Sequence, residues 1–171
     1  MHALSRAAMH WPVGTPVLFC GIRRAVGARV IKTSGDELDV LVAMNPAALK
    51  VNLADVKPGG LLILDSGAFN ERNFTKAGYQ SDPRSDGSLK GYRVFEVDMS
   101  QLTQDALKDA GLTKKEALRC KNMWALGLVY WMFGRNRQAT VDWLNEKFRK
   151  RTEIAHANIA APNAGEAFGE T

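Results

Sequence analysis

Three polar sets stand where a ligand-binding fold needs them. Asn45 follows the apolar run 38–44 and precedes Pro46, Asp65-Ser66 follows the apolar run 61–64, and Lys121-Asn122 precedes the apolar run 123–133. A polar side chain at the C-terminal end of a buried parallel strand faces the crevice where open α/β sheets bind ligands. Pro46 suits the first position of a helix, whose free N–H groups attract polar or anionic partners. Each set also has a plainer role. Asn45 would cap the helix opening at Pro46, and Asp65-Ser66 would form a turn. Asn122 would bond to nearby backbone, and Lys121, which has the charge to meet a phosphate, would be solvated. Residue types and spacing leave both roles open.

Other chemistries lack their residues. His2, His10 and His156 form no metal-ligand spacing, and no Ser-His-Asp or Cys-His arrangement is visible. Cys20 and Cys120 are too few for a disulfide framework or for an iron–sulfur cluster held by this chain alone. Trp124, Tyr130 and Trp131 read as core or subunit interface. The net charge of +5 comes from residues 1–34, with five basic and no acidic residues; residues 35–171 carry eighteen of each sign. A neutral body argues against a nucleic-acid partner. The longest apolar run, 123–133, is well short of the roughly 20 residues that span a bilayer. The first ten residues are short for a transit peptide and show no secretory pattern, so the expected location is cytoplasmic.

These positions need strands to carry them. A length of 171 residues suits one domain. Strands are expected at 28–32, 38–44, 61–64 and 92–97, with Val17-Leu18-Phe19-Cys20 as a short further candidate. The nearly continuous apolar content of 38–44 fits a strand covered on both faces. Helices are expected at 46–56, after Asp98 or Ser100, and from the Thr113…Glu116 capping box to Phe133. Two more follow, one capped by Thr140 and one over 152–161. Residues 69–91 read as a long polar loop and 162–171 as a linker. The apolar helix 123–133 is central to a core or covered by a partner. Strands alternating with helices predict an α/β fold, a Rossmann-like parallel sheet flanked by helices in three layers.

The text of 35–49, together with Lys57-Pro58-Gly59-Gly60-Leu61-Leu62-Ile63-Leu64-Asp65-Ser66, resembles the gamma domain of 2-oxoacid:ferredoxin oxidoreductases, in the version fused to the alpha subunit. Leu118-Arg119-Cys120-Lys121-Asn122-Met123-Trp124-Ala125-Leu126-Gly127-Leu128 is similar to the family's Asn-Met helix. Trp131-Met132-Phe133-Gly134-Arg135 and Trp143-Leu144-Asn145-Glu146-Lys147-Phe148 are similar to its next landmarks. The resemblance runs from about Val26 to Thr171. The family's Gly-x-Gly-Gly turn and Arg-Gly-Gly segment are absent, and Gly21-Ile22-Arg23-Arg24-Ala25-Val26-Gly27 is no substitute. The expectation is therefore a domain with its first βα unit missing: an aberrant segment at 1–25, a gamma-type domain at 26–161, and a linker at 162–171 leading to an alpha domain. A divergent N-terminus is the alternative for 1–25.

The resemblance implies part of an enzyme that oxidatively decarboxylates 2-oxoglutarate, pyruvate or a related 2-oxoacid to an acyl-CoA and passes electrons to ferredoxin. Thiamine diphosphate, Mg2+ and the iron–sulfur cluster would sit in the thiamine-diphosphate-binding alpha domain, the beta subunit or other parts of the complex. This domain would orient and enclose them. Asn45, Asp65, Ser66 and Asn122 are the candidate cofactor-binding residues, facing coenzyme A or the neighbouring subunits; no residue of this chain is a catalytic or metal candidate. The alternatives are a non-catalytic α/β interaction module and a fragment with no function of its own.

Overall fold

The computed structural model describes residues 37–171 in full and the backbone of two earlier strands, β1 (Pro16–Phe19) and β2 (Ile22–Ala25). The expected strand at 28–32, Cys20, His2 and His10 lie outside the described residues. Two compact units divide the chain at Asp98, inside the span 26–161 that the sequence groups together.

The first unit, within Pro12–Asp98, is built on a five-stranded sheet. Its remaining strands are β3 (Leu38–Ala43), β4 (Val56–Asp65) and β5 (Arg93–Val97), in the order β2-β1-β3-β4-β5. β2 pairs antiparallel with β1; β1, β3, β4 and β5 run parallel. Every residue of β3 is buried, as its nearly continuous apolar text requires. Its one charge, Asp39, forms an ion pair with Lys57 of β4. The α/β expectation holds: a parallel sheet with flanking helices.

β4 is longer than the 61–64 read from the sequence. It begins at Val56, and the register against β3 shifts between the Leu38–Val56 and Val40–Leu61 pairs. That irregularity accommodates Pro58 and Gly59, which the sequence reading took as a stop. Gly59 has φ 78° and its N–H reaches the Gly91 carbonyl at 2.7 Å. The helix expected over 46–56 is accordingly shorter: α1 (Pro46–Asn52) followed by a 3-10 turn, Leu53–Asp55.

The segment 69–91 is not all loop. It contains α2 (Glu71–Ala77), whose N-cap Asn70 accepts from Asn73 N at 3.2 Å and whose C-terminus closes on left-handed Gly78. Seven residues with one buried anchor, Phe74, give no visible period, so only the caps betray this helix. Phe74 stands edge-on to Phe69 and Tyr79, with ring centroids 6.0 and 6.3 Å away. Leu38, Leu41, Leu49, Leu62, Leu64, Phe69 and Phe74 share one core that joins β3, β4, α1 and α2.

The second unit, Met99–Thr171, is helical: α3 (Met99–Ala106), α4 (Lys114–Arg119), α5 (Lys121–Phe133), α6 (Gln138–Lys147) and α7 (Thr152–Glu170). Thr113 and Glu116 form the expected capping box, with both reciprocal bonds present. The single helix expected from there to Phe133 breaks at Cys120, which closes α4 and opens α5. Thr140 does not cap α6; the helix begins two residues earlier, and Thr140 Oγ1 lies 2.7 Å from the Tyr130 hydroxyl.

The last helix does not stop at Ala161. α7 continues through Pro162 to Glu170, so residues 162–170 are packed helix. Proline removes one backbone donor and normally kinks a helix, but the crossing with α5 holds this one. Gly127 of α5 meets the Pro162 backbone, Gly165 meets the Trp124 carbonyl, and Gly169 meets the Trp131 ring, all too closely for a Cβ. Trp124 and Phe168 stack at 5.3 Å. Glu166 pairs with Arg137. The apolar α5 is thus covered largely within its own unit, by α7.

Candidate functional site

β3 and β4 are parallel neighbours with Ala43 opposite Leu64, so their C-terminal ends share one edge of the sheet. Asn45 and Asp65-Ser66 are placed together on that edge. Asn45 is exposed, and its Oδ1 accepts from Ala48 N at 2.9 Å, so it does cap α1. Asp65 is wholly buried at the end of β4. Ser66 is half-buried and opens a 3-10 turn, Ser66–Ala68, closed by Phe69 N donating to Ser66 O at 3.1 Å. Asn122 belongs to the helical unit, in the first turn of α5, where it is exposed rather than enclosed by the apolar helix. Beside it, Lys121 Nζ lies 3.3 Å from Ser100 Oγ.

The turn after β4 is held from several directions. A Cβ on Gly67 would collide with the Asp98 carboxylate, so a larger residue there would require that carboxylate to move. Asn73 Nδ2 donates to Ala68 O at 2.8 Å. Arg84 Nη2 donates to Phe69 O at 3.2 Å. The same guanidinium binds Asp82 through Nε at 2.9 and 3.0 Å and through Nη2 at 2.5 Å, and binds Glu96 of β5 at 2.9 Å. It also lies 5.7 Å from the Phe69 and Phe74 ring centroids. The hydrogen bonds from Arg84 hold the Asp82 carboxyl below its ordinary range, while Asp82, then Glu96, hold the guanidinium above its own. Next to this network an open cleft of about 640 Å³ is lined by Phe69, Asn70, Phe74, Tyr79, Gln80 and Arg84, among others. Burial and the Asp86 charge push the Tyr79 phenol up.

Arg84, Asp82 and Glu96 escaped the sequence reading. Asp82-Pro83 favours a turn, but nothing in that text shows that Arg84 reaches β5. Among the described residues no group of three or more His, Cys, Asp or Glu side chains is arranged to hold a metal ion. Among them, too, no helix is long and apolar enough to cross a membrane.

The α/β sheet agrees with the fold that the resemblance implies. Residues 18–168 match the protein-family model described as pyruvate ferredoxin/flavodoxin oxidoreductase, beginning eight residues before Val26, where the resemblance was first legible. The chain belongs to this family. It is 44% identical over 165 residues to the 2-oxoglutarate oxidoreductase subunit KorA of Mycobacterium tuberculosis, which covers 96% of this chain and 25% of that one. Its fold is similar to a 2-oxoglutarate:ferredoxin oxidoreductase from Magnetococcus marinus, solved with 2-oxoglutarate, coenzyme A and succinyl-CoA bound. The TM-score is 0.59 at 26% identity, over 86% of this chain and 22% of that one. This oxidoreductase-family chain therefore spans about a quarter of the curated relative it matches.

Proposed function

We propose that this chain is the gamma-type domain of a 2-oxoacid:ferredoxin oxidoreductase. The enzyme would convert 2-oxoglutarate and coenzyme A to succinyl-CoA and carbon dioxide, with electrons passing to ferredoxin. One observation carries the substrate class: the 44% identity to KorA across nearly the whole chain. Thiamine diphosphate, Mg2+ and the iron–sulfur cluster would be held elsewhere in the assembly. Their places would be the thiamine-diphosphate-binding alpha domain, the beta subunit or other parts of that assembly. The gamma-type body would then include the whole of α7, which packs on α5 beyond residue 161, and would reach back to the start of the family match at residue 18.

The ligand of this chain's own sheet edge would be coenzyme A. Asn45 and Ser66 present an amide and a hydroxyl at one edge. The Asp98 carboxylate beside Gly67 makes the turn unfavourable for a phosphate. The edge suits the hydroxyl and amide groups of the cofactor's ribose and pantetheine arm. The role of this chain would be to hold that arm and exclude water; Asn122 would act separately, from the helical unit.

The test is a titration of the full chain with coenzyme A, followed by amide resonances and calorimetry. Shifts confined to residues around Asn45, Asp65 and Ser66, weakened by Ser66→Ala, support the reading. Saturable binding that leaves these resonances in place, or no binding, contradicts it.

A further inference from the structure

The 3-10 turn Ser66–Ala68 is short, follows directly on the buried Asp65, and carries the half-buried hydroxyl of Ser66. A segment of this length has little intrinsic stability. Its geometry must be imposed by what surrounds it. On one side the Asp98 carboxylate occupies the space that a Gly67 side chain would need. On the other, the Phe69 carbonyl that ends the turn is bound by Arg84 Nη2 at 3.2 Å.

Arg84 is well placed to transmit rigidity. It sits in the segment after α2, yet its Nη1 reaches Glu96 on β5 at 2.9 Å. Glu96 pairs in register with Leu64, the residue before Asp65. The Asp82 carboxylate grips the other side of the fork, and Arg84 N also donates to Asp82 Oδ1 at 3.0 Å. A planar guanidinium with several fixed donors can serve a carbonyl and two carboxylates at once; a lysine ammonium cannot match that geometry. Asp82 and Glu96 occupy the charge of Arg84, so it is not a free anion site.

We propose that Arg84 is a positioning residue for the Ser66 turn, fixing it between β4 and β5 through the Phe69 carbonyl and Glu96. This rests on the reading of the β3–β4 edge as the coenzyme A-facing edge. Arg84 touches no ligand in this scheme; it sets the angle at which Ser66 and the turn backbone meet one.

The full chain is compared with Arg84→Met, Arg84→Lys and Lys50→Met. Lys50 Nζ donates to the Ala77 and Gly78 carbonyls at the end of α2, so Lys50→Met loosens the same neighbourhood without touching the turn. All are studied at a temperature where circular dichroism shows each fully folded. The expected result is that Arg84→Met moves the Ser66 and Gly67 amide resonances and weakens coenzyme A binding about tenfold. Arg84→Lys should recover only part of this, and Lys50→Met should do neither. Unmoved turn resonances in Arg84→Met, or equal effects from Lys50→Met, overturn the proposal; if Arg84→Met does not fold, Arg84→Lys against Lys50→Met decides. Wild-type chain that binds no coenzyme A while the turn resonances still respond to Arg84 overturns the ligand reading and leaves the positioning role standing.

Discussion

Gly127 of α5 and Pro162 of α7 meet backbone against backbone, with no room for a side-chain carbon between them. The same crossing sets Gly165 against the Trp124 carbonyl. Two helices approach this closely only where one of them carries no Cβ at the contact. Their separation fixes how Trp124, Leu128 and Phe168 pack.

Gly127→Ala should therefore be costly despite its small size. Overpacking costs about 1–3 kcal/mol, and here the clash is with backbone, which yields less than a side chain. Alanine's better helix propensity, worth about 1 kcal/mol, offsets only part of that. The expected outcome is a net loss of stability in urea unfolding. A variant as stable as the wild type would mean that α5 and α7 sit further apart.

Acid should expose the Asp82–Arg84 pair. The Asp82 carboxyl is held below its ordinary value of 3.8. Its contribution is therefore fully present above that value and is lost as pH falls through the lower, folded value. Both partners are partly exposed, so the stabilisation is about 1 kcal/mol or less after solvent screening. Asp82→Asn should be less stable than wild type at pH 7, and the gap should close as pH falls below about 4. Asp86 and Glu116 are held low by their own serine and threonine partners, so both proteins keep a residual acid sensitivity. A gap that stays constant from pH 7 to pH 2 would show that the Asp82 charge is not what matters.

Cys120 should be inert in the folded chain. It is 3% exposed, and burial pushes its thiol above the ordinary value of 9.0. Alkylation at Cys120, followed by peptide mass spectrometry, should be on the order of 100-fold slower in native protein than in urea. Fast native labelling would place the α4–α5 junction in solvent.

The parts of the fold legible in the sequence were those whose text leaves one physical solution. The apolar run 38–44 could only be a buried strand, and Thr113 with Glu116 formed the box that its spacing implies. Errors gathered where tertiary contacts override a local rule. Pro162 reads as a helix stop, yet Gly127 and Gly165 hold α7 in a helix past it. Pro58 and Gly59 read as a break, yet a register shift carries β4 across them. Asn45 and Asp65-Ser66 lie together at one sheet edge, as their text implies, because strand ends are predictable. Arg84 escapes such a reading, because its partner Glu96 lies on β5, twelve residues away, a pairing no periodicity records.

The most direct test of the central claim is reconstitution. This chain is combined with the thiamine-diphosphate-binding alpha domain and the beta subunit of its enzyme, and coenzyme A-dependent reduction of ferredoxin by 2-oxoglutarate is measured. The account predicts that the three co-elute and that turnover requires this chain, falling when Ser66→Ala replaces it. No co-elution, or the same coenzyme A-dependent rate with the chain left out, would contradict it.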